Sequence, residues 1–324
     1  MSTKPFSRRR FLGHLSALFS SFYLTQSIAN AGQGEQTTQN IAEQHIGRKP
    51  RVGIALGAGG ANGLAHILML ETLDKRGIKP HAIAGSSIGA VIGALYASGK
   101  SGRQIRELVE RFIISPQEHV VEELLSKDAL RWVEFLDIEF GEGGLLSSEG
   151  FMSFMYDTIG QITFEDLRCP LKVTAGDLWT REQVVLESGD LLSAIKASMA
   201  LPGIFQPVIH RNRVLVDGGT VNPVPYDLLV DDCDIVIGID VIGQRSGTMT
   251  EIPGYLGTIL NAAEIMQHAI MSERLRHMKP AIYISPDIVN VRALEFFRAR
   301  QVYEQAEPAR LKLEQQLAEV LNAW

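Results

Sequence analysis

The sequence predicts an α/β fold: a single three-layer domain with a mainly parallel sheet between helices. Three observations predict it. After residue 50, short apolar runs alternate with stretches of helical period, giving strand–loop–helix–strand–turn–helix in about fifty residues. Both strand-to-helix joints are rich in glycine, at Gly57–Gly63 and Gly85–Gly89. Farther on, DIVIGIDV (234–241) is apolar almost without interruption, the pattern of a strand buried on both faces.

In chain order, residues 1–31 carry a positive head (Lys4, Arg8, Arg9, Arg10) and an apolar stretch from Phe11 to about Leu24. They end in Ala29-Asn30-Ala31, the small-x-small pattern of a signal-peptidase site. The apolar part falls short of the ~20 residues that span a bilayer. Ser7-Arg8-Arg9-Arg10-Phe11-Leu12 resembles a twin-arginine signal, with an ordinary Sec signal as the alternative. Export to the periplasm, or secretion, is therefore expected. No cysteine follows the cleavage site, so no lipoprotein anchor is expected. Residues 32–50 are polar and read as a flexible linker. Residues 51–324 read as one domain.

Within that domain, Arg51–Leu56 is a strand and GAGGANG (57–63) a loop, followed by a helix that stops at Gly77. Ala82–Ala84 is a second strand, followed by the Ser87 turn and a helix ending near Gly99. Residues 101–160 are mostly helical in pattern and rich in large apolar side chains, from Val120 and Val121 through Trp132 and Phe140 to Phe154 and Met155. Strands are expected at 170–175, 183–186, 214–217, 234–241 and 281–284, and helices at 190–199, 258–278 and 291–321.

The bulk numbers narrow the function classes. Of 324 residues, 45% are hydrophobic and 21% charged, enough for a sizeable core. The net charge of −6 leaves no basic footprint for nucleic acid. Removing residues 1–31 takes away four positive charges and no negative ones, leaving −10. Long-range attraction to anionic lipid is then absent, and any transient membrane-surface contact has to be hydrophobic. No cysteine–histidine cluster has metal-ligand spacing, and neither a metal nor another cofactor is expected. In an exported protein Cys169 and Cys233 are either a disulfide or two buried thiols. The oligomeric state has no signature here.

Chemistry concentrates at three places. Gly57, Gly59 and Gly60 lie between a strand and a helix N-terminus, where outward-facing amides can cradle a phosphate or a developing oxyanion. A dinucleotide fingerprint would place glycine at 62 and an acid about 20 residues on. Position 62 is Asn62, the glycine comes at Gly63, and no acid occurs between Asp74 and the Ser87 turn. In the second place, Gly85-Ser86-Ser87-Ile88-Gly89, a strand-to-helix elbow would expose Ser87 as a nucleophile, although small residues at such a turn also serve close packing. An ordinary α/β-hydrolase would then present an acid and a late histidine. His14 and His45 precede the domain, while His66, His81, His119 and His210 precede the best acid. His268 and His277 lie in a helical pattern rather than on a loop. The third place, Asp217, ends an apolar strand before Gly218 and Gly219, which would hold a carboxylate at the sheet's carboxyl edge, where Ser87 also leaves its strand. A carboxylate within reach of Ser87 could take its proton directly if burial raised its basicity; a plain Asp-Gly-Gly turn is the alternative.

Gly57–Gly63 with Leu64-Ala65-His66-Ile67, Gly85–Gly89, Ala197–Phe205 (ASMALPGIF) and Asp217-Gly218-Gly219 together resemble the patatin-like phospholipase family, in the family's order. Ala281–Pro286 is similar to its closing strand. The resemblance spans about 52 to 290, with the motif-bearing core at about 52–230. It implies a lipid acyl hydrolase of phospholipase A or lysophospholipase type, acting on a lipid or acyl ester through a Ser–Asp dyad and an acyl-enzyme. Ser87 would be the nucleophile, Asp217 the proton acceptor, and the amides of Gly59, Gly60 and Ala61 the oxyanion hole. Asn62 stands where the family usually has Arg or Lys, and Ala58 aligns with its usual first glycine; neither change removes a backbone donor. Loss of the cation weakens the expectation of a phosphate contact. A broad carboxylesterase or thioesterase, or a non-catalytic lipid- or partner-binding module, are the alternatives. The apolar residues of 120–155 would line an acyl groove or cap, or simply pack the core.

Overall fold

The computed structural model describes residues 48–113, 149–160, 162–243 and 255–324. The expected signal, most of the expected linker and the apolar residues from Val120 to Leu146 lie outside these. By its contacts the chain divides into Pro50–Ala323 and a second unit, Met1–Lys49 with Trp324. In the second unit the Arg48 guanidinium lies 5.7 Å from the centroid of the Trp324 ring.

In Pro50–Ala323, eight strands form one sheet: β1 Val52–Leu56, β2 Ala82–Ser86, β3 Leu171–Asp177, β4 Gln183–Leu186, β5 Val208–His210, β6 Arg213–Asp217, β7 Ile235–Ile239 and β8 Ile282–Ile284. The order β3-β2-β1-β7-β8 is parallel throughout. The described helices are α1 Ala65–Lys75, α2 Ile88–Ala97, α3 Gly102–Ile113, α4 Glu149–Ile159, α5 Leu191–Ser198, α6 Tyr255–His277 and α7 Ala299–Ala323. This is the expected α/β architecture, a mixed, mostly parallel sheet flanked by helices.

Side-chain alternation divides the core. Ile54, Leu56, Ile83, Ile235, Ile237 and Ile239 face a large apolar cluster that takes in α1, α2, α5 and α7. Their neighbours Ala55, Ala82 and Ala84 face a smaller cluster holding Tyr226, Leu229 and Met271. Small residues on that face let the bulky Tyr226 lie fully buried against the sheet. Helix α2 lies so close to β1 that a Cβ on Gly89 would stand 2.0 Å from the Leu56 carbonyl oxygen. Met155 on α4 is fully buried in the larger cluster, as core packing requires.

Three features depart from what the sequence pattern gives. β6 runs antiparallel to β3, so Asp217 reaches the edge where Ser87 opens from the opposite direction. Thr174 pairs with both Ser86 and Val185, and Ala175 with both Val184 and Asp217. A strand has two edges, so β2 and β6 share one edge of β3 and meet end to end, with β4 on the other. Next, the last helix does not begin at 291. Val291 is buried, Ala293 O accepts the Ala61 N–H (2.7 Å), and the helical part starts as a 3₁₀ turn at Phe296 before α7. Packing against the glycine loop outweighs helical propensity there. Finally, β5 is an added strand, joined to β6 by Arg211 (φ 45°) and Asn212 (φ 64°), the two left-handed residues of a type I′ hairpin. Its usual glycine is missing, which hid it from the sequence. Both cysteines are free: burial pushes the Cys233 thiol up to about 11 and the Cys169 thiol up to about 12.

Candidate active site

Ser87 is the first residue after β2, with φ 54° and ψ −123°. That left-handed backbone at a non-glycine residue is the strain of a sharp strand-to-helix elbow. It turns the hydroxyl out of the strand while α2 begins at Ile88, with its dipole's positive end beside Ser87. The Ser87 N–H donates to Ser198 Oγ (2.9 Å) at the end of α5. The Ser87 hydroxyl donates to Asp217 Oδ2 at 2.6 Å.

Asp217 is 3% exposed. Its Oδ1 accepts the Gly219 N–H (2.7 Å), and its own N–H donates to Ala200 O (2.9 Å). The stretch 197–205 therefore holds both partners, through Ser198 and Ala200. Gly218 is required by proximity: a Cβ there would lie 2.3 Å from Thr174 O. Burial pushes the Asp217 carboxyl up to about 6, against the opposing effect of the hydrogen bonds from Ser87 and Gly219. A carboxylate so raised is a better base than an ordinary aspartate.

The glycine loop leads from β1 into a 3₁₀ turn, Gly60–Leu64. The Gly57 N–H donates to Ile239 O (3.0 Å) and the Ala58 N–H to Pro223 O (2.8 Å). Among the described residues the N–H groups of Gly59 and Gly60 have no acceptor. The Ala61 N–H is committed to Ala293 O, which removes it from the expected set of three donors. Gly60 takes φ +56°, within glycine's range. Gly63 packs on Ile88, while Gly85 and Gly89 bracket Ser87. Asn62 is buried with its amide against Gly243, and its Oδ1 has no partner.

No described histidine bonds to Ser87 or Asp217. His66 is fully buried, with Nε2 2.8 Å from Gly57 O; burial lowers its pKa to about 4, so it holds the loop as a neutral ring. His268 Nε2 lies 3.3 Å from Gly243 O, and His277 pairs with Glu273. His81 is exposed, and His210 lies beside Ser193 at 3.4 Å. His119 lies outside the described residues.

One residue at the site escaped the sequence reading. Gln267 on α6 is 8% exposed, and its side chain makes no hydrogen bond with any described residue. Its Nε2 is 2.5 Å, and Asp217 Oδ1 is 3.0 Å, from the point a Cβ on Gly219 would occupy, so the two atoms are at most 5.5 Å apart. The available signal was a polar residue in the inward stripe Leu260–Gln267–Met271. Among the described residues, no cluster of acids, histidines or cysteines could hold a metal, and no helix is long and apolar enough to cross a membrane.

The profile of the patatin-like phospholipase family matches residues 54–230. An uncharacterized NTE family protein of Mycobacterium tuberculosis is 34% identical over 199 residues, covering 61% of this chain and 51% of the relative. Neuropathy target esterase of Drosophila melanogaster is 29% identical over 203 residues, covering 61% of this chain and 13% of the fly protein. The chain thus spans about half the length of the mycobacterial relative it matches. Among solved structures, VipD from Legionella pneumophila aligns with a TM-score of 0.44 at 14% identity, covering 82% of this chain and 67% of VipD. ExoU of Pseudomonas aeruginosa, in complex with SpcU, aligns at 0.43 and 15% identity, covering 83% and 53%.

Proposed function

The chain belongs to the patatin-like phospholipase family, and from that premise we propose that it hydrolyses the carboxylic ester of a lipid acyl chain through Ser87 and Asp217. One observation carries the reading: the Ser87 hydroxyl donates at 2.6 Å to a buried carboxylate of raised basicity, with no histidine between them.

In this reading Asp217 Oδ2 takes the proton as Ser87 Oγ bonds to the ester carbonyl carbon. The carbonyl oxygen becomes an oxyanion and accepts from the free N–H groups of Gly59 and Gly60. On collapse the bond to the leaving alcohol breaks, and Asp217 returns its proton to that alcohol. Water then adds to the acyl-enzyme and loses its proton to Asp217. The Ser87 ester bond breaks, the fatty acid leaves, and Ser87 regains its proton. Gly219 and Ala200 keep Asp217 in place through both halves, and Ser198 keeps Ser87 there.

A second reading, a broad carboxylesterase without phospholipid preference, is favoured by Asn62, which is neutral and buried and so offers no cation to a phosphate. The full chain assayed on a short-chain nitrophenyl ester and on phosphatidylcholine separates the two. Ser87→Ala and Asp217→Asn are expected to lose at least ~10³-fold on either substrate. Activity retained in either variant refutes the dyad, and an inactive parent supports a binding module instead.

A further inference from the structure

Two hairpin tips, unused by the dyad, stand beyond the sheet edge on which Ser87 opens. β3 continues three residues past Thr174, the partner of Ser86, or about 10 Å, before turning into β4 at 178–182. The β5–β6 turn at Arg211 and Asn212 ends on the same side, because Leu178 N–H donates to Val214 O (2.8 Å) and Val214 pairs with Ile209.

These tips expose what a soluble surface normally covers. Trp179 is 75% and Ile209 79% exposed, with Leu178 beside them at 39%. The first tip is rigid, since Asp177 Oδ1 accepts from the N–H of Trp179 (3.0 Å) and of Thr180 (3.1 Å). Around these residues stand Arg181, Arg211 and Arg213, in a chain whose net charge is −6. Arg213 reaches Asp177 at 3.7 Å, but Arg181 and Arg211 form no ion pair with any described residue.

We propose that the two tips are a docking site for an anionic lipid surface. Trp179 and Ile209 enter the interfacial layer, and Arg181 and Arg211 meet lipid phosphates. An indole has the apolar body and N–H that favour a membrane interface, and guanidinium groups bind phosphate in bidentate fashion. A bilayer so bound faces the Ser87 edge. Overall negative charge gives no long-range pull, but these arginines act within a Debye length of about 8 Å. The purpose of the site rests on the lipid-hydrolase reading; its test does not.

The test floats the full chain carrying Ser87→Ala, which removes the nucleophile, with vesicles of phosphatidylcholine alone or mixed with phosphatidylglycerol. Trp179→Ala/Ile209→Ala should weaken binding to the mixed vesicles about tenfold or more. Arg181→Gln/Arg211→Gln should weaken it on mixed vesicles only, and the difference should vanish at high salt. With Ser87 present, both double variants should keep the parent's rate on a soluble short-chain ester while losing rate on vesicle lipid. Absent binding in the parent, or equal binding in parent and variants, overturns the proposal. So does a parent dimer that Trp179→Ala dissociates, since the patch would then be a self-interface. An inactive parent refutes the hydrolase reading alone, and flotation still decides the docking site.

Discussion

Lowering the pH from 7 to 5 is expected to cut hydrolysis about tenfold through Asp217 alone. Burial raises this carboxyl from 3.8 to about 6, and in the proposed mechanism only the carboxylate can take the Ser87 proton. With a pKa of about 6, the ionised fraction is about 0.9 at pH 7 and about 0.1 at pH 5. An ordinary aspartate would remain about 0.9 ionised at pH 5. The assay is kcat/KM of the full chain on a short-chain ester from pH 4 to 8 at constant ionic strength. An acid limb near 4 refutes the argument. So does a limb that disappears in His268→Ala or His277→Ala, both of which should stay within twofold of the parent. The same shift has a consequence for stability. A folded-state carboxyl pKa raised above its unfolded value favours folding below about pH 3.8, and that advantage is lost as pH rises through about 6. The cost at pH 7 is about 3 kcal/mol. Asp217→Asn should therefore be inactive yet more resistant to urea at pH 7, and a destabilised Asp217→Asn would contradict the desolvation account.

Gln267→Leu replaces the amide beside Asp217 with an apolar group, so the acid limb should move upward; an unmoved limb would separate Gln267 from the carboxylate. Gly89→Ala should cost on the order of 3 kcal/mol in thermal unfolding, because its Cβ would meet the Leu56 carbonyl at 2.0 Å. His66 has a folded pKa lowered to about 4, so its contribution is full above about pH 6.5 and is lost as pH falls toward 4. Urea unfolding at pH 7 and pH 5 should show His66→Gln relieved of about 2 kcal/mol of that acid loss relative to the parent. Arg8→Lys/Arg9→Lys should leave the chain uncleaved inside the cell if residues 1–31 direct twin-arginine export, as fractionation would show.

Much of this was legible because it is local. The elbow at Ser87 needs a strand end, a helix start and small neighbours, all within Gly85–Gly89. β7 could be read from an apolar run, and the two glycine joints marked where helices begin. The hairpin of β5 was hidden because Arg211-Asn212 lacks the glycine that usually announces such a turn. Gln267 was hidden because α6 is only weakly amphipathic, so its inward side is set by what it packs against. Ala61 shows the reverse error. Its amide looks free in a loop of glycines, but Ala293, more than two hundred residues away in the chain, supplies its acceptor.

By itself the sequence determined most of the strand-and-helix order, the serine elbow, the two motif glycine runs and Asp217 as a candidate base, since each depends on neighbours a few residues apart. Only the tertiary structure decided how serine and aspartate meet. β2 and β6 approach from opposite directions along one edge of β3 and stop where Thr174 gives way to Ala175. That register depends on long-range backbone pairing. At the same junction the two oxygens stand 2.6 Å apart, and burial raises the carboxyl to about 6.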